Sequence, residues 1–295
     1  EPAKILEAIE RCGVTTSFGA PVLWRKIAAH AQARGLRFPA MRRLLMAGAP
    51  VPPALFARLR EVFPNAALWS PYGATECLPV SAIEAEGVLG ETAAATEKGA
   101  GTCVGWPVAG VEVVILPITE AARERFSADE SLPPGRIGEI VVTGPSVTRR
   151  YDGLPEETVR AKTRDGGGRV WHRMGDAGYL DEKGRLWFCG RVAERVRTAE
   201  GALFPDCCEG IFNTIPGVAR SALIGLGETG RQEPAVVIEP EGEKAPQESE
   251  LRRVAENHDI TRGIQRFFFD RKFPVDVRHN AKIHRHELAR RYRGK

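Results

Sequence analysis

The sequence predicts an α/β protein in two parts: a layered α/β part with a small β region over residues 1–190, and a compact α+β unit over residues 191–295. Three observations carry the prediction. Helix-like and strand-like segments alternate up to about residue 80; short β-type runs separated by Gly and Asp turns fill Gly138 to Gly190; and the pattern changes again beyond Arg191. Alternation of that kind favours parallel strands layered with helices. A chain of 295 residues also has room for two cores.

In order, a helix opens the chain with Ile5, Leu6 and Ile9 on one face and runs to Cys12. Strand-like Thr15 to Phe18 follows, then a helix after Pro21, strand-like Leu44 to Met46, and a helix after Pro53. Both prolines stand where a first helical turn needs no N–H. From 81 to 135 the chain is rich in Gly, Ala, Glu and Pro, which predicts long surface loops interrupted by a strand at Val111 to Leu116. Ile140 to Thr143 and Leu186 to Cys189, bounded by Gly and Asp turns, predict antiparallel pairing. Past the Gly190-Arg191 turn, strands at Ala222 to Ile224, Ala235 to Ile238 and Phe267 to Phe269 alternate with a helix over Ser249 to Asn257 and a basic helix near Glu287. That unit has the size of a small domain. No internal repeat is visible.

Composition removes several classes. A net charge of +4, with Arg residues spread along the chain, does not favour nucleic acid. The longest strongly apolar run, Val111 to Ile118, is too short to cross a bilayer and no basic-then-apolar segment opens the chain, which reads as cytoplasmic. Six cysteines without a Cys-x-x-Cys pair read as reduced, structural thiols. The chain opens at Glu1 inside a helix-like segment, which points to a part further upstream.

Three clusters carry candidate chemistry. Gly48-Ala49-Pro50 and Tyr72-Gly73-Ala74-Thr75-Glu76 each follow an apolar strand-like run, and ligands of α/β sheets gather at the carboxyl ends of strands. Small residues there let a flat ring approach the backbone, Tyr72 would cover it, and Thr75 beside Glu76 suits a phosphate with its magnesium. Read locally, the same segment is equally a strand-end turn with a surface Glu. Asp176, at the Gly175 turn, and Arg191 suit a ribose diol, or else form a turn Asp and a solvated Arg. Lys282, in a basic stretch, suits charge that migrates during phosphoryl chemistry, or else a solvated helix start. His172 lies beside Asp176 in sequence and reads as a packed strand-end histidine before it reads as a base.

In this order and spacing the clusters resemble the adenylate-forming superfamily of acyl-CoA synthetases, non-ribosomal adenylation domains and luciferases, over almost the whole chain. Tyr72 to Glu76 is similar to its aromatic-Gly-x-Thr-Glu motif, Gly138-Glu139-Ile140 through Gly144 to Tyr151 to its Gly-Glu-Ile strand, Gly175-Asp176 to its ribose motif, Gly190-Arg191 to its hinge and Lys282 to its catalytic lysine. The resemblance implies that the chain is the C-terminal part of the large N-terminal domain, followed by a small mobile C-terminal domain, and that ATP and Mg2+ are used. It implies that Gly48, Ala49 and Pro50 line the adenine with Tyr72 and Gly73 beside it. Thr75 and Glu76 would hold phosphate and magnesium, Asp176 and Arg191 the ribose, and Lys282 would bridge carboxylate and α-phosphate.

Departures refine the expectation. The family's Ser/Thr/Gly-rich phosphate loop lies upstream of everything in this chain. Ala193 stands where the hinge usually has an acid, and Glu200 where a loop Gly admits a pantetheine arm, with Gly201 shifted by one. Both changes weaken thiol delivery, so an acceptor already on the substrate is the simpler candidate. Arg195 to Gly201, Asp206 to Glu209 and His279 to Arg290 resemble the β-lactone synthetases of bacterial long-chain olefin biosynthesis. That resemblance implies activation of a 2-alkyl-3-hydroxy fatty acid and closure by its 3-hydroxyl. It also points to the thiolase-like, reductase and decarboxylase enzymes of that pathway as partners. The rival readings are a fatty acyl-CoA synthetase and a non-catalytic nucleotide- or acyl-binding protein.

Overall fold

The structure is a computed structural model, and it describes residues 1–242, 245–276 and 282–294. Pro2–Arg11 (α1), Thr16–Gly19 (β1), Pro21–Gln32 (α2), Arg43–Met46 (β2), Pro53–Val62 (α3) and Ala67–Ala74 (β3) alternate as the hydrophobic periodicity predicts. α2 buries Trp24, Ile27, Ala28 and Ala31, the three-four spacing of one helical face. Trp24 meets Phe63 edge to face, with ring centroids 5.8 Å apart. β1, β2 and β3 pair in parallel.

The stretch expected to be long loops is instead mostly regular. Cys77–Glu84 (β4) returns antiparallel to β3, and Ala85–Gly87 (α4) leads through a π-turn at Val88–Thr92 into Ala93–Glu97 (α5). Thr102–Pro107 (β5) then precedes Glu112–Leu116 (β6). Gly, Ala and Thr give this stretch little hydrophobic contrast, and packing against the first core, where Ile83, Ala85, Val88 and Cys103 are buried, decides its conformation.

Gly138–Thr143 (β7), Pro155–Ala161 (α6), Lys162–Arg164 (β8), Val170–Leu180 (β9) and Leu186–Arg191 (β10) complete a ten-stranded sheet. Its order is β1-β2-β3-β4-β5-β10-β9-β7-β6, with β8 added beside β9. β7 is buried along its whole length. It is joined to β9 by the Arg173–Glu139 ion pair at 2.7 Å, with both side chains under 10% exposed.

Beyond Arg191 come a short ladder, Val196–Arg197 (β11) with Ala202–Leu203 (β12), and the helix Pro205–Phe212 (α7). A second sheet follows, in which Val218–Leu226 (β13) pairs with Glu233–Pro240 (β14) and β14 with Arg266–Phe269 (β15). Its two faces alternate as a period of two requires. Leu223, Val236, Ile238 and Phe267 pack under α7 and Glu248–Glu256 (α8), whereas Ala222, Ile224, Ala235 and Val237 pack under Arg285–Tyr292 (α9). A third cluster brings Cys207, Phe204 and Val192 against Ala177 and Cys189, joining the residues before and after Arg191.

Candidate active site

Two irregular pairings in the large sheet aim the central side chains. On β9 Arg173 faces Val141 and Ala177 faces Glu139, so Met174, Gly175 and Asp176 together oppose Ile140 alone. On β10 the register slips between Phe188 and Gly190, leaving Cys189 extra. Gly175, at φ +66, and Gly190, at φ +129, occupy the left-handed backbone region these bulges need. The outcome is that Asp176 and Arg191 stand directly opposite each other across the ladder.

Asp176 is the buried centre of the group. Its Oδ2 accepts a hydrogen bond from the Tyr72 hydroxyl at 2.6 Å, and Arg191 Nη1 lies 2.9 Å from Oδ1 while also donating to the Met174 carbonyl at 3.3 Å. The Arg191 contact is an ion pair of poor hydrogen-bond direction, so buried Oδ1 lacks a well-aligned donor. Burial pushes the Asp176 carboxyl up, while Arg191, the Tyr72 hydroxyl and the ammonium of Lys282 pull it down without cancelling the rise. Burial beside the Asp176 carboxylate also pushes the Tyr72 phenol well up, so Tyr72 stays a donor. The charge of Lys282, exposed and 106 positions along the chain, is the weakest of these pulls on Asp176. Tyr72 packs its ring on Phe188, centroids 5.9 Å apart.

Thr75 and Glu76 form the two-residue turn between β3 and β4, next to this group. Thr75 is exposed, and Gly73 lies in the last stretch of β3. Glu76 Oε1 accepts from the Tyr151 hydroxyl at 2.6 Å, and its carbonyl accepts from the Thr148 N–H at 2.8 Å. Burial pushes the Glu76 carboxyl up, but Tyr151, its own backbone N–H, His172 and Lys162 outweigh it and hold Glu76 below the usual range. Behind the turn Lys162 Nζ lies 3.0 Å from Thr148 Oγ1 and 3.2 Å from His172 Nδ1, which is also 3.2 Å from the Ala161 carbonyl. Burial and the Lys162 charge push His172 down to about 4, which leaves it neutral near pH 7. The packed reading of His172 fits this environment. Tyr151 and Lys162 were not singled out in sequence for this turn, because the partners are 75 and 86 positions from Glu76 and no local pattern links them.

Gly48, Ala49 and Pro50 leave β2 at its carboxyl end, beside β3, where Leu45 faces Trp69. No hydrogen bond ties them to Asp176, Tyr72 or Arg191 among the described residues; the parallel pairing alone places them. Among the described residues no three His, Cys, Asp or Glu side chains converge as a metal cage, and no helix is long and apolar enough to cross a membrane.

The sequence profile of the family described as AMP-binding enzyme matches residues 1–152, more than half of the 295 residues. The chain belongs to the AMP-binding enzyme family. This AMP-binding enzyme is 46% identical over 297 aligned residues to the olefin beta-lactone synthetase of Stenotrophomonas maltophilia (strain K279a), a match covering 98% of this chain and 53% of that protein. The chain thus spans about half the length of the curated relative it matches. Its fold superposes on the amide bond synthetase McbA from Marinactinospora thermotolerans with a TM-score of 0.82 at 25% identity, over 99% of this chain and 55% of that one. ATP-bound MatB from Rhodopseudomonas palustris superposes with a TM-score of 0.78 at 21% identity, over 100% of this chain and 54% of that one. The expected α/β fold of adenylate-forming enzymes is therefore the observed one.

Proposed function

We propose that the protein activates a long-chain 2-alkyl-3-hydroxy fatty acid with ATP and closes it to a β-lactone. The observation that carries the nucleotide half is the Asp176 group: a buried carboxylate with one oxygen lacking an aligned donor, backed by Tyr72 and Arg191 and within the field of Lys282. A ribose hydroxyl supplies the donor that Asp176 Oδ1 lacks, and Arg191 reaches the sugar or a phosphate. Tyr72 and Gly73 are in the last stretch of β3, and Gly48, Ala49 and Pro50 follow the parallel neighbour β2; the glycines and alanine are small enough for an adenine ring to approach.

In this reading a carboxylate oxygen of the acid attacks the α-phosphorus and pyrophosphate leaves. Lys282 follows the charge from the attacking carboxylate to the phosphate oxygens, a stabilisation worth most in a site shielded from water. Thr75 offers a hydroxyl to phosphate. Glu76, held ionised, fits a magnesium ion completed by phosphate oxygens and water rather than by further protein ligands. Such an ion would neutralise phosphate charge. The 3-hydroxyl oxygen then bonds to the activated carbonyl carbon, the carbonyl–AMP bond breaks, and the hydroxyl proton is released. Intramolecular attack needs no second substrate site. The similarity to the Stenotrophomonas olefin beta-lactone synthetase supports this acceptor over an external thiol.

The test is to incubate the full-length protein with ATP, magnesium and a synthetic 2-alkyl-3-hydroxy fatty acid in the absence of CoA, following AMP and organic products together. AMP with an equal amount of β-lactone is the expected result. AMP released only on addition of CoA moves the protein to the acyl-CoA synthetases, and no AMP in either condition overturns the reading of an activating enzyme for this substrate class.

A further inference from the structure

Three residues after Lys282, Arg285 opens α9 with its guanidinium almost fully enclosed, the side chain 13% exposed. It grips two carboxylates on different elements. Nε and Nη2 form a parallel fork on Glu209 of α7, at 3.0 Å to Oε1 and 2.8 Å to Oε2, and Nη1 reaches Glu194 Oε2 at 2.7 Å. Glu209 is itself fixed to the small sheet, since its Oε1 also accepts the Leu223 N–H at 2.8 Å. Glu194 closes the 3-10 turn Val192–Glu194 that begins directly after Arg191, whose guanidinium pairs with Asp176.

These contacts form a chain of links: Asp176 to Arg191 by ion pair, Arg191 to Glu194 by one turn of backbone, Glu194 to Arg285 by ion pair, and Arg285 to Lys282 by three residues. Three residues of chain reach at most about 10 Å. The segment between is also held, because Ile283 is buried and bridges Val275, the His284 N–H donates to the Pro274 carbonyl at 2.8 Å, and the Asp276 N–H donates to the Lys282 carbonyl at 3.0 Å. A shift at Arg285 is therefore passed to Lys282 rather than absorbed by slack.

We propose that Arg285 is a positioning residue: by bridging Glu194 and Glu209 it sets where Lys282 stands relative to Asp176. The inference rests on the reading of Lys282 as the residue that acts on carboxylate and α-phosphate. The work needs an arginine because only a planar fork can hold Glu209 with two donors while a third reaches Glu194; a lysine ammonium is a point charge on a flexible stem. Ala193 leaves the position two after Arg191 without an acid, and Glu194, one residue later, takes up the link to the C-terminal segment.

The test uses the full-length protein and four variants, Arg285→Lys, Glu194→Gln, Lys282→Ala and Glu194→Gln with Lys282→Ala, reading kcat and KM for ATP in AMP formation. Arg285→Lys is expected to lower kcat by about 10²-fold, the cost of misplacing a reacting group by about an ångström, with KM for ATP within about threefold. Glu194→Gln removes the charge from the arm to the turn, leaves the Glu209 fork in place, and is expected to lower kcat by roughly tenfold in protein that still unfolds cooperatively. It carries the test if Arg285→Lys does not fold. Added to Lys282→Ala, Glu194→Gln is expected to cost nothing more, because residues that act through one group are not additive. A readout free of turnover is acetylation of Lys282 by an N-hydroxysuccinimide ester with ATP present, followed by mass spectrometry. Bound ATP is expected to protect Lys282 in the wild type, and Glu194→Gln to lose most of that protection. Wild-type kcat and wild-type protection in Glu194→Gln overturn the proposal, as does a cost that multiplies in the double variant. A fully active Lys282→Ala overturns the reading of Lys282 itself, whereas an inactive Lys282→Ala beside an unaffected Glu194→Gln overturns the positioning role alone.

Discussion

Asp176 shows how burial and charge are set against each other in this site. A carboxylate this enclosed is destabilised, and its partners offset the loss only in part, so a donor that reaches Oδ1 stands to gain more than it would on an open surface. Lys282 differs in kind. It is exposed, its charge reaches Asp176, and its backbone is tied to Asp276. In the role proposed for it Lys282 matters only while charge moves, and such a side chain contributes to the barrier and little to nucleotide affinity. Lys282→Ala in the full-length protein is therefore expected to keep ATP affinity within about threefold and to lose roughly 10²- to 10³-fold in AMP formation. Equilibrium binding and initial rates measured on one preparation check both halves.

At the scale of elements, α7 packs against strands of both sheets. Asp206, in its first turn, accepts a hydrogen bond from Thr102 of β5 at 2.9 Å, while Cys207 packs against Ala177 and Cys189. Burial first, and then the nearby Glu209 and Glu194, push the Asp206 carboxyl up to about 7, against the opposing pull of Arg285 and Thr102. Unfolded, the same group titrates near its ordinary value of 3.8, so between those limits the folded protein holds more protons than the unfolded chain. The stability Asp206 contributes is full below about pH 4 and is lost as pH rises through 7. With screening of a half-buried group allowed for, the loss is about 2 kcal/mol. Asp206→Asn keeps an acceptor for Thr102 and removes the titration. Its melting temperature is expected to fall less between pH 5 and 8 than that of the wild type, and parallel curves for the two proteins would contradict the assignment.

At the scale of the whole molecule, the residues before and after Arg191 meet at a seam in which Cys189, Cys207 and Ala177 pack with Val192 and Phe204. All six cysteines are free, and Cys77, Cys103, Cys189, Cys207 and Cys208 are buried in four different clusters. Burial raises the Cys103 thiol to about 11, which holds it protonated and unreactive near neutral pH. Iodoacetamide at pH 7.5 is expected to leave these five unlabelled in the folded protein and to label all of them in denaturant, as peptide mapping reads out. Fast labelling of Cys189 or Cys207 in native protein would mean that the seam around α7 opens readily.

Local pattern was enough for much of this protein. Leu6 and Ile9 of α1, the prolines opening α2 and α3, and the apolar runs Ala222 to Ile224 of β13 and Ala235 to Ile238 of β14 state their elements directly, because these signals are carried by neighbouring residues. Tyr72, Glu76, Asp176, Arg191 and Lys282 were legible as types set in family-like motifs. Their contacts were not. Residues 85–97 fold as helical turns with no clear period of their own, and Tyr72 meets Asp176 across 104 positions only because β3, β4, β5, β10 and β9 lie side by side. Tyr151 on Glu76 and Arg285 between Glu194 and Glu209 had no signal in the sequence at all. An arginine in a basic stretch reads as solvated, and only the folded chain, by enclosing it between two carboxylates, turns it into a brace. Spacing along the chain determines the elements and nominates the chemistry, whereas the electrostatics of the site depend on burial and on distances between remote residues, which exist only once the sheet has formed.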